Sequence, residues 1–169
     1  MEPQLSSREP VRSDAQRQRE QLLTFVVAGE EFGVDILRVQ EIRSWSRPMP
    51  LPRTPEYVKG VINIRGDIVP IADLRERLGL ATQAAGPTTV IVVLRVEHGG
   101  KSRTMGIVVD AMSDVTDVAR DQIKPPPDLA ETRGVANLTR GIALVDERMI
   151  TLLDVDGVFP PPTDADAAA

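Results

Sequence analysis

The 169-residue chain has no cysteine and a single histidine, His98. That excludes disulfides, zinc–thiolate centres and thiol nucleophiles, and one imidazole cannot supply the usual transition-metal site. Aromatic residues are only 3% of the chain, so the core is expected to be built from Val, Ile, Leu and Met. No apolar run approaches the roughly 20 residues of a membrane-spanning helix. The start, Met1-Glu2-Pro3-Gln4, lacks the basic and then apolar pattern of a signal peptide, so a cytoplasmic protein is expected. The formal charge of −5 lacks the basic footprint from which nucleic-acid binding draws its affinity. Also missing are the glycine-rich phosphate-binding and dinucleotide motifs and the nucleophile elbow of serine hydrolases.

What the chain does contain is a copy of itself. Gly60–Leu74 aligns without a gap to Gly141–Val155 at a spacing of 81 (141 − 60). Each reads as glycine, a short apolar strand, a polar turn, a second apolar strand and then Asp73 or Asp154. Upstream, Gly33–Ile42 resembles Gly106–Val115 at a spacing of 73 (106 − 33). The order of the two elements is the same in both halves. Units of about 60–70 residues bury too little surface to stand alone, so the halves are expected to share a core.

Residues 1–20 and 160–169 read as polar, disordered tails. Between them the signals are β. Hairpins are expected around Gly29-Glu30, Arg65-Gly66, Gly99-Gly100 and Asp146-Glu147, with the two repeats changing over near 80–90. Residues 37–42 fit a helical turn or a continuing strand, and residues 128–139 fit a loop or a short helix. Pro48, Pro50, Pro52 and Pro55 make an extended crossover, matched later by Pro125-Pro126-Pro127. Pro70 places its strand at an edge or a bulge. Short strands at regular spacing suggest small sandwiches or barrels.

Residues with catalytic potential are few. His98 sits at a hairpin tip, where a solvated turn residue is expected. Asp73 and Asp154 suit helix N-caps better than a catalytic carboxylate pair. In residues 61–66, alternation puts Ile62 and Ile64 on one strand face and Asn63 and Arg65 on the other. An ordinary polar strand face is the simpler account of that pair. Trp45, the only tryptophan, reads as a core residue ahead of an interface anchor.

Taken together, Gly33–Arg43, Leu51–Gly66, Ile68–Arg75, Gly106–Asp110, Met112–Val115, Gly141–Ala143 and Met149–Asp154 resemble the CheW family of bacterial chemotaxis coupling proteins. The likeness spans residues 21–159. It implies an all-β fold with a few short helices, in which two small SH3-like five-stranded β-barrels pack around a shared core. It implies no catalytic activity and no cofactor. The implied partners are the regulatory domain of a CheA-type histidine kinase and the cytoplasmic tips of methyl-accepting chemoreceptors, met at the inner face of the membrane. Neither nucleic acid nor direct membrane insertion is expected. A coupler of a non-flagellar array is the alternative setting. Carried over by position, Glu41 and Arg65 match the family's acid and arginine near the partner-binding surface, and Val39, Gly60, Asn63 and Gly66 lie in the same motifs. Glu41 and Arg65 are expected to face each other, and the second half, with Leu144 and Asp146 at the positions of Asn63 and Arg65, to bind something different.

Overall fold

A computed structural model describes residues 18–126 and 138–159. The chain runs β1 (Arg19–Val27), β2 (Glu30–Asp35), a 3₁₀ turn (Ile36–Arg38), β3 (Val39–Ser44), β4 (Val58–Ile64), β5 (Asp67–Asp73) and α1 (Leu74–Arg77). It continues as β6 (Val90–His98), β7 (Lys101–Val109), β8 (Ala111–Ala119), a 3₁₀ turn (Arg120–Gln122), β9 (Ile123–Lys124), β10 (Thr139–Val145), β11 (Arg148–Leu153) and α2 (Val155–Val158). The ambiguity at residues 37–42 resolves into both forms. Asp35 accepts a hydrogen bond from the Leu37 N–H, which starts the 3₁₀ turn, and β3 follows at once. Most of residues 128–139 lie outside the described residues.

The strands form two sheets, ordered β3-β6-β7-β5-β4 and β8-β1-β2-β11-β10-β9. Number the five main strands of each repeat by position, so that β10 and β11 count as fourth and fifth. Both sheets then read third, first, second, fifth, fourth. In each sheet the first two strands come from one repeat and the other three from its counterpart. Neither half of the sequence therefore closes a sheet by itself, which is the structural reason for a shared core. The equivalence extends to β1 and β6. Leu22 pairs with Asp35 as Ile91 pairs with Val108, a spacing of 69 (91 − 22) between the first strands. The second sheet also gains a sixth, two-residue strand, β9, that the five-stranded expectation did not include.

Because β1 and β6 are central, both of their faces are buried. Leu22 and Ile91 point into the interiors of their own sheets, while Leu23, Phe25, Val92 and Leu94 point into the core between the sheets. Full burial of such a side chain contributes about 1.5–3 kcal/mol. The interiors are aliphatic, as the composition suggested. The shared core is not. All three phenylalanines, Phe25, Phe32 and Phe159, are buried there, with Phe25 and Phe32 stacked at 6.3 Å between centroids. Methionine contributes less than expected, since Met49 and Met149 are exposed.

Pro70 is neither on an edge strand nor at a bulge, because β5 lies between β7 and β4. Its partner is Val61, whose N–H and C=O both turn away from β5 to bond Met49. Pro70 therefore sits at a non-hydrogen-bonded pair, and parallel pairing to β7 starts only at Ile71. The missing N–H costs no ladder bond. Met49 makes an isolated bridge to Val61, and Lys124 of β9 pairs with Ile142 in the other repeat. The two proline crossovers thus dock in the same way. Beneath each contact is a glycine: a Cβ built on Gly60 would lie 2.1 Å from the Met49 carbonyl oxygen, and one on Gly141 2.8 Å from that of Lys124.

The equivalent hairpin turns differ in strain. Arg65 and Gly66 have φ of 50° and 91°, while Asp146 and Glu147 have 46° and 67°. A side chain in this region costs roughly 1–2 kcal/mol, against about 0.5–1 kcal/mol for the extra freedom of an unfolded glycine. Glu147→Gly is therefore expected to raise the melting temperature by up to a few degrees, read by thermal denaturation.

Ion pairs give the fold an acid limit. Glu20, Glu31 and Asp110 are held below their ordinary values of 4.5, 4.5 and 3.8, chiefly by hydrogen bonds from Arg140, Arg148 and Arg75. A depressed folded value means stability that is fully present above the ordinary value and is lost as pH falls through the folded one. Burial raises Asp73, which works in the opposite sense. The net expectation is a melting temperature that is level near neutrality and declines once pH drops below about 4.5.

Candidate functional site

The first sheet curls until side chains from its two edges touch. Glu41 stands on β3 and Arg65 follows β4, at opposite ends of the strand order, yet Arg65 Nη2 lies 2.8 Å from Glu41 Oε2. Their ion pair spans the seam of a barrel. The backbone aims Glu41 there. Val39 pairs with Leu94 and packs on the shared core, but a bulge shifts the register so that Glu41 pairs with Val93, whose side chain faces the barrel interior.

Arg43, which the sequence reading missed, completes the group. Its Nη1 lies 3.1 Å from Glu41 Oε1. Glu41-x-Arg43 is an alternating pair on one strand face, and that spacing was the available signal. The two guanidiniums, Arg43 first, hold the Glu41 carboxyl below the usual glutamate value. The carboxylate is consumed internally, and Arg65 is left 79% exposed and fixed in position.

Asn63 is exposed but not free. Its Oδ1 accepts the Gly66 N–H at 2.8 Å, tying the turn that carries Arg65. Gly66 itself has open space around it. Gly60 is buried beneath the Met49 carbonyl and offers no surface, and Val39 is half-buried against the core. The structure thus brings Glu41, Asn63, Arg65 and Gly66 to one place, while Val39 belongs to the shared core and Gly60 to the Met49 contact. Ile68, which pairs with Asn63 across the hairpin, is an exposed large apolar side chain, as is Ile42 on the opposite face of β3 from Glu41 and Arg43.

On the second sheet the equivalent positions carry other chemistry. Asp114 and Asp146 stand where Glu41 and Arg65 stand on the first, so no pair forms between them. Leu144 faces Met149 across β10 and β11, and both are exposed, as is Val115. Arg148 sits within the field of Asp114 and Asp146 while hydrogen-bonding Glu31.

The remaining candidates are structural. Asp73 caps α1 through the Arg75 N–H, and Asp154 caps α2 through the Gly157 N–H. His98 is not a solvated tip, because its Nε2 hydrogen-bonds the Phe159 carbonyl and pins the end of the described chain. Trp45 is not a core residue. It is 37% exposed and lines an open cleft of about 960 Å³ with Lys59, Asp73 and the 82–89 segment. Among the described residues no group of three or more His, Cys, Asp or Glu could hold a metal ion.

The model of the CheW-like domain family matches residues 21–161. The chain belongs to the CheW family. It is 44% identical over 142 residues to the chemotaxis protein CheW of Rhizobium meliloti (strain 1021), covering 83% of this chain and 87% of that one. It is 40% identical over 137 residues to the chemotaxis protein CheW of Klebsiella aerogenes, covering 81% and 80%. Its fold matches the crystal structure of the scaffolding protein TtCheW from Thermoanaerobacter tengcongensis, with a TM-score of 0.74 and 29% identity over 84% of this chain and 93% of that one. The interleaved barrels are thus the fold of a family that includes that scaffolding protein.

Proposed function

We propose that this protein is a non-catalytic coupler that holds the cytoplasmic tips of methyl-accepting chemoreceptors to the regulatory domain of a CheA-type histidine kinase. The reading rests on membership of the CheW family and on one observation, the Arg43–Glu41–Arg65 group fixed across the seam of the first barrel. A carboxylate shared by two arginines orients them without leaving net negative charge, so the exposed Arg65 is presented next to the turn where Asn63 pairs with the exposed Ile68. Exposed arginine next to apolar surface is the composition of an interface anchor.

The second face is acidic and apolar, with Leu144, Met149 and Val115 near Asp114 and Asp146. Unlike faces on a body with a common core suit unlike partners. Coupling then needs no chemistry: a partner that binds one arrangement of the complex more tightly biases the kinase toward it. No helix among the described residues is long and apolar enough to cross a membrane, and contact with the membrane is assigned to the receptors in a cytoplasmic setting.

The two faces are tested separately. Soluble kinase regulatory domain and receptor-tip fragment are each titrated against the protein, its Arg65→Ala variant and its Met149→Glu variant. The expected outcome is that the two substitutions weaken binding unequally, each affecting one partner more than the other. Equal weakening of both partners by either substitution, or no binding to either, contradicts the reading.

A further inference from the structure

The chain passes between the sheets at two crossovers, the Ile36–Arg38 turn from β2 to β3 and Asp110 from β7 to β8. Each is fastened to a short helix of the other repeat by a bidentate ion pair. Arg38 reaches α2, with Nη1 and Nη2 at 3.0 and 2.8 Å from the two oxygens of Asp156. Asp110 reaches α1, with its oxygens at 2.9 and 2.5 Å from Nε and Nη2 of Arg75. Asp156 and Arg75 are the same position of the repeat (156 − 75 = 81, the spacing of Gly60 and Gly141). The crossover members stand one place out of register (110 − 38 = 72, against the spacing of 73), so the two latches hold the same junction of the fold from neighbouring crossover positions, with the charges reversed.

The backbone partners agree. Asp156 accepts the Glu97 N–H at 2.8 Å, and Asp110 accepts the Ala28 N–H at 2.8 Å. Arg38 donates to the Arg95 carbonyl at 3.1 Å, and the Asp110 N–H donates to the Val26 carbonyl at 3.0 Å. Val26 and Ala28 on β1 correspond to Arg95 and Glu97 on β6 (95 − 26 = 69, as for Leu22 and Ile91). Each latch thus holds a crossover of one repeat, the first strand of the other and the helix of the other at one point.

Interleaving makes this polarity matter. Two similar half-chains that complete each other's sheets can also be matched like with like, repeat one of one chain with repeat one of a neighbour. We infer that the reversed polarity of the Arg38–Asp156 and Asp110–Arg75 latches forbids that match and confines pairing to unlike halves. In a pairing of first repeats Arg38 meets Arg75, and the Ala28 N–H loses its carboxylate acceptor. In a pairing of second repeats Asp110 meets Asp156. Both put like charges at a partly buried contact with orphaned polar groups, whereas the native pairing satisfies both latches.

The test equalises the polarities while keeping both native pairs. In R75D/D110R the second latch becomes Asp–Arg with the carboxylate on the helix, as in the first. In R38D/D156R the first is made to copy the second. Each protein is unfolded in denaturant, refolded at rising concentration and sized by light scattering. The parent is expected to return as monomer throughout. Each double variant is expected to keep a monomer melting within a few degrees of the parent and to yield a dimeric fraction that grows with concentration. Combining all four substitutions restores opposite polarities and is expected to restore monomeric refolding. Monomeric refolding of both double variants at every concentration overturns the proposal. So does failure of both to form a native monomer, because the device requires each latch to accept either polarity.

Discussion

Gly60→Val is expected to lower stability by about 3 kcal/mol or more and the melting temperature by roughly 10 °C. Two separate costs add. The residue sits at φ 142°, which side chains rarely adopt, and its Cβ would lie 2.1 Å from the Met49 carbonyl oxygen and 2.5 Å from the Met49 carbonyl carbon. Backbone atoms cannot rotate aside as a side chain does. Either the Met49–Val61 bridge opens or β4 moves, and β4 carries Asn63 and positions Arg65. Any loss of partner binding in this variant follows from the fold. Gly66→Val separates the two costs, since Gly66 has a positive φ but nothing within 4 Å of a new Cβ. It is expected to lose only the roughly 1–2 kcal/mol of the turn itself. Thermal melts of both variants check this; an equal drop for the two would mean that the Met49 contact is not what Gly60 serves.

Arg65→Ala is expected to do the reverse. The side chain is 79% exposed and its pair with Glu41 is a surface pair, so little stability depends on it. Glu41 keeps Arg43. Binding is another matter. An arginine anchor at an interface is commonly worth about 2 kcal/mol or more, which is roughly thirty-fold in affinity. Arg65→Lys keeps the charge but not the planar fork that meets Glu41, and is expected to fall between parent and alanine. The expected signature is an unchanged melt with weakened binding. A large fall in melting temperature would instead make the Glu41–Arg65 seam a structural closure.

Much of this site was legible in the chain. Glu41 and Arg65 were paired on resemblance, and the 2.8 Å contact bears out their meeting. The repeat was visible because Gly60 and Gly141 mark the same close approach to a crossover. The interleaving was less visible. Sequence similarity shows which strands are equivalent but not which repeat each one pairs with, and that choice rests on contacts such as Arg38–Asp156, 118 positions apart. Arg43 escaped notice because a lone arginine on a strand reads as solvated until its carboxylate is located. Trp45 misled for a related reason: composition assigns a lone tryptophan to the core, but here the three phenylalanines fill that core and the tryptophan stands at a cleft. The polarity of the latches was invisible without coordinates, since Arg75 and Asp156 lie just past the aligned segments and look like one more mismatch between the repeats.

The most direct test of the coupling account is co-sedimentation with a CheA-type kinase and receptor-bearing membranes, with kinase activity read in the same tube. The account predicts recruitment of the protein, receptor-dependent kinase activation, and loss of that activation in an Arg65→Ala variant whose thermal melt is unchanged. Recruitment and activation by Arg65→Ala equal to the parent's, or no recruitment of the parent at all, would contradict it.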